Sequence, residues 1–213
     1  VAKAAHHSVA VNDAAPAKGR KAVLYATCFV NYNNPDIGEA ARTVLARNGV
    51  ETEVVYPECC GMPQLEGGEI ADVAGRAART AALMAGWIED GYDIIAMTPS
   101  CALMLKFEWP LMVPDNPQVR RLADATFDLS EYVVDIAKKE GLAEGMKPLP
   151  GGVAVHLACH ARAQNMGAKS AELLRQLPDA DVTIVERCSG HGGSWGIKTE
   201  NFPVALKVGA PAA

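Results

Sequence analysis

An apolar run of strand length that leads into cysteine occurs twice near the start of the chain, as Val23-Leu-Tyr-Ala-Thr-Cys28 and as Val54-Val-Tyr-Pro-Glu-Cys-Cys-Gly61. Apolar residues at helical spacing between the two runs predict a helix over residues 37–48, which ends before a glycine. A longer helix is predicted over residues 70–89, and a buried strand over residues 93–97 leads to a further cysteine. Because strands alternate with helices in βαβ units, the sequence predicts an α/β fold with an open parallel sheet.

The same order of strand, cysteine, helix, strand and cysteine returns after about 130 residues, in Val153-Ala-Val-His-Leu-Ala-Cys159 and Ile184-Val-Glu-Arg-Cys-Ser-Gly190. This self-similarity predicts an internal duplication, so that the fold consists of two tandem related units. We expect three segments: an Ala-rich tail or linker over residues 1–20, a first unit over 21–150 and a second unit over 151–213. The counterpart of Cys101 would fall at about position 230, beyond Ala213, so we expect the second unit to be incomplete and the chain to be a fragment.

The composition is that of an ordinary globular chain. Of the 213 residues, 49% are hydrophobic and 21% are charged, and the formal net charge is −5. Only 20 residues are Lys or Arg, which argues against the clustered basic surface that nucleic-acid binding requires. No apolar run reaches the 18 residues expected of a membrane-spanning helix, so we expect no transmembrane span.

Cysteines follow each of the first three predicted strands. Cys28 follows the first strand, Cys59 and Cys60 follow the second, and Cys101 follows the third. The carboxyl ends of parallel strands meet at one edge of a sheet, where ligands gather in open α/β folds. We therefore expect four thiols to converge there, a donor set that suits an iron–sulfur cluster or zinc.

The spacing of the cysteines favours an iron–sulfur cluster over zinc. Zinc sites usually contain paired ligands at C-x2–4-C spacing, and this chain contains no C-x-x-C. The adjacent Cys59 and Cys60 are better suited to two different iron atoms, and Gly61 permits a tight turn against a bulky cluster. Thiol–disulfide chemistry and the burial of cysteine as a small apolar residue are the other two interpretations of these positions.

Several motifs are similar to those of the CCG cysteine-rich domain family, which includes heterodisulfide reductase B subunits, the iron–sulfur subunits of glycolate and lactate oxidases, and the C subunit of anaerobic glycerol-3-phosphate dehydrogenase. The resemblance extends over about residues 21–211 and is greatest to the last of these. It is carried by C-F-V-N-Y-N from Cys28, Glu58–Pro63, Pro99–Cys101, Cys159-His160, Cys188–Gly193, Gly196–Pro203 and Val208–Pro211.

This resemblance implies a Rossmann-like fold in each unit and a [4Fe-4S] cluster, cubane or noncubane, in the first. Carried over position by position, the cluster ligands would be Cys28, Cys59, Cys60 and Cys101. The family closes each unit with C-x-x-C, whereas Thr98 stands here in place of the first of those cysteines. A four-cysteine site or a differently built cluster is therefore expected.

The second unit departs further from the family pattern, because Ser189 replaces the second cysteine of the adjacent pair. Cys159 and Cys188 remain as candidate ligands of a second metal site, either iron–sulfur or zinc. His160 and His191 flank them and are tentative additional ligands.

The function implied by the resemblance is electron transfer within a multi-subunit oxidoreductase. Such a subunit would accept electrons from a flavoprotein dehydrogenase and pass them toward a quinone or another acceptor. We expect a cytoplasmic protein, and any association with the inner face of the membrane would come through its partners or through surface contact. The alternatives are a heterodisulfide-reductase-like enzyme, in which a noncubane cluster cleaves a disulfide, and a structural zinc-binding module.

Overall fold

A four-stranded parallel sheet organises the first part of the chain. The structure is a computed structural model that describes residues 9–193 and 195–213. The sheet has the order β2-β1-β3-β4, and all neighbouring strands are parallel. Its strands are β1 (Lys21–Tyr25), β2 (Glu51–Val55), β3 (Asp93–Ala96) and β4 (Thr126–Asp128). The predicted α/β fold with an open parallel sheet is confirmed.

Helices cover both faces of this sheet. They are α1 (Pro35–Arg47), α2 (Met62–Glu66), α3 (Ile70–Glu89), α4 (Pro99–Leu103), α5 (Trp109–Met112), α6 (Pro117–Asp124) and α7 (Leu129–Lys139). Single π-helical turns span Phe29–Asn33 and Met104–Glu108. The predicted helices over residues 37–48 and 70–89 correspond to α1 and α3.

Two separate apolar cores lie on the two faces of the sheet. Because successive side chains of a strand point to opposite faces, Val23 and Tyr25 enter one core and Leu24 enters the other. The larger core lies beneath α3, α5 and α6, and the smaller one beneath α1 and α7. Burial on both faces explains why β1 and β3 are continuous apolar runs rather than alternating ones.

The second unit repeats the strand–helix–strand arrangement on a smaller scale. Its parallel strands β5 (Val153–His156) and β6 (Val182–Val185) form a separate two-stranded sheet. Its helices are α8 (Cys159–Ala163), α9 (Lys169–Leu174) and α10 (Phe202–Gly209), and a 3-10 turn spans Ala210–Ala212. The helical segment between β5 and β6 is divided into α8 and α9 by residues with positive φ, Asn165 and Gly167.

The division of the chain at residues 20 and 150 stays a prediction, and residues 1–8 of the expected tail lie outside the described residues.

Residues 9–20 pack against the first unit rather than extending from it. Ala15 and Ala17 are buried, and the Ala17 amide donates to the Asn48 carbonyl at 3.2 Å. A side chain at Gly49, where φ is +91°, would collide with the backbone of this segment.

No helix in residues 9–193 and 195–213 has both the length and the apolar character needed to cross a membrane.

The short strand β4 leads directly into a capping box at the start of α7. The buried Asp128 carboxylate accepts the Ser130 amide at 2.9 Å, and the Glu131 carboxylate accepts the Asp128 amide at 3.1 Å. This reciprocal cap fixes the point at which the chain leaves the sheet.

The substitution Asp128→Ala is expected to lower the free energy of unfolding by about 1 kcal/mol, because the helix loses its cap. Urea denaturation of the two proteins measures the difference. Asp124→Ala, at an exposed position at the end of α6, is the control. Equal destabilisation by the two substitutions would contradict this account of the cap.

Candidate metal centre

The four thiols that we expect to converge lie at the point where the strand order of the sheet reverses. From β1 the chain crosses to β2 on one side, whereas β3 lies on the other side of β1. In open parallel sheets the crevice at this switch point is the usual ligand site. Cys28 follows β1, Cys59 and Cys60 follow β2, and Cys101 lies in α4 after β3.

The four thiols form a continuous chain of contacts. The Sγ atoms of Cys60 and Cys101 are 3.1 Å apart, and the Cys59 thiol interacts with those of Cys28 and Cys60. Cys60 and Cys101 are buried, whereas Cys28 and Cys59 are half-buried. The set therefore runs from the surface into the larger core.

The backbone of the Cys59-Cys60 pair is fixed by contacts to its carbonyl groups. The Tyr25 hydroxyl donates to the Glu58 carbonyl at 2.5 Å, and the Trp109 indole donates to the Cys60 carbonyl at 3.1 Å. Both rings are fully buried, so their positions are set by packing. The two contacts hold the adjacent cysteines in place from opposite sides.

A glycine is required immediately after the pair. Gly61 has a φ of +85° and precedes α2, and a Cβ at this position would lie 3.3 Å from side-chain atoms of Val73 and Arg76 in α3. The left-handed conformation turns the chain sharply away from the thiols, which agrees with the tight turn predicted from the sequence.

Glu58, which precedes the pair, is held by two arginines of α3. Arg79 donates to both carboxylate oxygens, at 3.1 and 3.0 Å, and Arg76 lies 3.5 Å away. The sequence did not predict these ion pairs, because the partners are about 20 residues apart and lie on different elements.

Thr98 occupies the position where the family pattern has another cysteine. Its hydroxyl is 2.9 Å from the Thr27 hydroxyl, and its carbonyl accepts the Cys101 amide at 2.9 Å. The contact between Thr27 and Thr98 joins the loops after β1 and β3. A pair of hydroxyls thus bridges the switch point directly beside the thiols.

Burial and hydrogen bonds raise the pKa of Cys28, Cys59 and Cys60. A hydrogen bond with Cys60, together with burial, raises the pKa of Cys59, and a hydrogen bond with Cys101 raises that of Cys60. Burial is the main reason that the pKa of Cys28 is raised. Burial and the neighbouring thiols Cys28 and Cys59 raise the pKa of Tyr56 to about 12. Several thiolates could share this space only with a cation among them.

The four thiols are a donor set of the kind that binds iron–sulfur clusters or zinc. Within the described part of the chain, no three His, Cys, Asp or Glu side chains are grouped around a point that one metal ion could occupy.

The candidate ligands of the second unit do not form a comparable group. Cys159 and Cys188 are exposed, and Cys188 Sγ accepts the Gly190 amide at 3.3 Å. His191 is also exposed. The Nδ1 atom of His160 is 2.7 Å from the Ser100 hydroxyl, so this side chain is directed toward the first unit.

Comparison with known proteins gives consistent matches. The sequence pattern of the cysteine-rich domain named CCG matches residues 22–106, a range that contains all four thiols of the first unit. The chain is 31% identical over 189 residues to the C subunit of the anaerobic glycerol-3-phosphate dehydrogenase of Escherichia coli K12, covering 86% of this chain and 46% of that protein. It is 30% identical over 190 residues to lactate utilization protein A of Bacillus cereus B4264, covering 84% of this chain and 75% of that protein. The chain thus spans about half the length of the first relative and three quarters of the second.

The burial of the thiols predicts an order of chemical reactivity. In metal-free, reduced protein at neutral pH, iodoacetamide is expected to modify the exposed Cys159 and Cys188 before the buried Cys60 and Cys101. The raised pKa of Cys60 means that its reactive thiolate forms only at higher pH. Mass spectrometry of digests over time measures the order, and modification of Cys60 as fast as Cys159 would contradict it.

Proposed function

The chain belongs to the family of iron–sulfur subunits that contain the cysteine-rich CCG domain, and we propose that it relays electrons through a cluster held by Cys28, Cys59, Cys60 and Cys101. The observation that carries the proposal is the row of contacting thiols at the switch point of the sheet. We propose a [4Fe-4S] cluster, in cubane or noncubane form, as the group that these thiols bind.

The surroundings of the thiols suit an electron-transfer centre. Cys60 and Cys101 anchor the inner side of the site among apolar residues, which limits the access of water to that side. Cys28 and Cys59 are half-buried and bring the outer side close to the surface. A centre with one sheltered side and one accessible side can exchange electrons with a partner while its inner ligands stay dry.

The proposed partners follow from the names of the relatives. One relative is part of a glycerol-3-phosphate dehydrogenase, and another is named for lactate utilization. We propose that a flavoprotein dehydrogenase acting on a small hydroxylated substrate donates the electrons, and that a quinone or another carrier accepts them. Association with a membrane, at its cytoplasmic face, would then occur through the partner proteins.

A second centre in the second unit is a separate part of the proposal. Cys159 and Cys188 follow their strands much as Cys28 and Cys59 follow theirs, which supports a related site. The hydrogen bond of His160 to Ser100 leaves only its Nε2 atom for a metal. His191 is the other candidate ligand.

Metal analysis of anaerobically purified protein tests the proposed centre. We expect a coloured protein that contains iron and acid-labile sulfide in similar amounts, about four of each per filled cluster, and a paramagnetic signal in one oxidation state. One zinc per chain without iron or sulfide would contradict the proposal and indicate a zinc module. A signal that appears only on addition of a disulfide substrate would indicate a disulfide reductase instead.

Substitution of single cysteines tests the assignment of the ligands. Cys59→Ser and Cys60→Ser are each expected to abolish most of the visible absorption, because each removes a thiolate from the row. Cys188→Ser is expected to retain most of it, because this thiol is exposed and lies outside the first unit. Iron content and absorption spectra after anaerobic purification are the measurements, and equal losses in all three variants would show that the ligands are misassigned.

A further inference from the structure

The described structure contains one almost fully buried glutamine at the contact between the two units. Gln164 follows α8 of the second unit and is only 2% exposed. Its amide nitrogen lies 3.3 Å from the Pro99 carbonyl of the first unit and 3.3 Å from the His160 carbonyl of its own helix. A buried amide is retained in such a place only when its hydrogen bonds are made.

The amide oxygen of the same glutamine contacts a partly buried ion pair of the first unit. Its amide oxygen accepts the Lys106 ammonium at 3.4 Å, and Lys106 also contacts the Glu131 carboxylate at 2.6 Å. Burial raises the pKa of Asp128, and a hydrogen bond from Gln164 opposes that shift. The orientation of the amide is therefore fixed by several charged groups of the first unit.

These contacts converge on the turn that carries Cys101. Gln164 binds the carbonyl of Pro99, and His160 Nδ1 lies 2.7 Å from the hydroxyl of Ser100. Pro99 and Ser100 are the two residues that immediately precede Cys101 in α4. Within the first unit, this turn is held by the bond from the Cys101 amide to the Thr98 carbonyl. The second unit thus supplies two of the contacts that fix the helix start.

We propose that Gln164 is a positioning residue that holds Cys101 beside Cys60, and that the second unit supports the first centre in this way. The inference rests on the proposed function, in which Cys101 is a cluster ligand. Residues that orient metal ligands change metal affinity by about 10- to 100-fold when they are replaced. Gln164 orients Cys101 by binding the carbonyl of Pro99, two residues before it. His160 contacts the same turn through Ser100.

The first test uses metal-free protein and is independent of any cluster. Gln164→Met keeps the length of the side chain and removes its hydrogen bonds, and Ser100→Ala loosens the same turn more gently. Gln176→Met is the matched control, since that exposed amide bonds only the Glu172 carbonyl of its own helical segment. We expect faster alkylation of Cys101 in the first two variants and wild-type protection in the control. Unchanged protection of Cys101 in folded Gln164→Met and Ser100→Ala would overturn the inference.

The second test uses protein with its metal. In Gln164→Met, the chelator concentration that removes half of the iron is expected to fall about 10-fold or more, and the line shape of the paramagnetic signal is expected to change. In Gln176→Met, both the chelator concentration and the line shape are expected to stay unchanged. A variant with the affinity and line shape of the wild type would count against the positioning role. Wild-type protein that contains no iron would instead overturn the proposed function, and the alkylation of Cys101 would still decide the inference.

Discussion

The reversal of strand order between β1 and β3 is the constraint on which the rest of the site depends. Because β2 and β3 lie on opposite sides of β1, the loops after all three strands open onto one crevice. The contact between Thr27 and Thr98 closes that crevice at its base. Cys60 and Cys101, which are 41 residues apart in the sequence, thereby come into contact.

Four thiols in one crevice have an electrostatic consequence. The hydrogen bond with Cys60 raises the pKa of Cys59, the hydrogen bond with Cys101 raises that of Cys60, and burial adds to both shifts, so these two thiols are protonated in the absence of a metal. A bound cluster would reverse this balance, since its iron atoms stabilise thiolates. The buried indole of Trp109 meanwhile holds the backbone of the Cys59-Cys60 pair through the Cys60 carbonyl.

The second unit has a different relation to its cysteines. Cys159 and Cys188 are exposed, but the helix that begins at Cys159 packs against α4 of the first unit. Its polar residues His160 and Gln164 reach Ser100 and Pro99 rather than forming a site of their own. The helix that begins at Cys159 therefore contacts the turn that precedes Cys101, although its own cysteine is exposed.

The sequence alone determined the strands other than β4, the long helices and the position of each thiol after a strand, because these features depend on local periodicity. The bounds predicted for α3 agree with the structure, whereas no local pattern predicted the three-residue strand β4 or the break between α8 and α9. Only the tertiary structure decided which strands are neighbours, which thiols are buried and that Gln164 reaches Pro99. Hydrogen bonds between residues 60 or more positions apart leave no periodic signal, so they follow from the packing of the two units rather than from any local pattern.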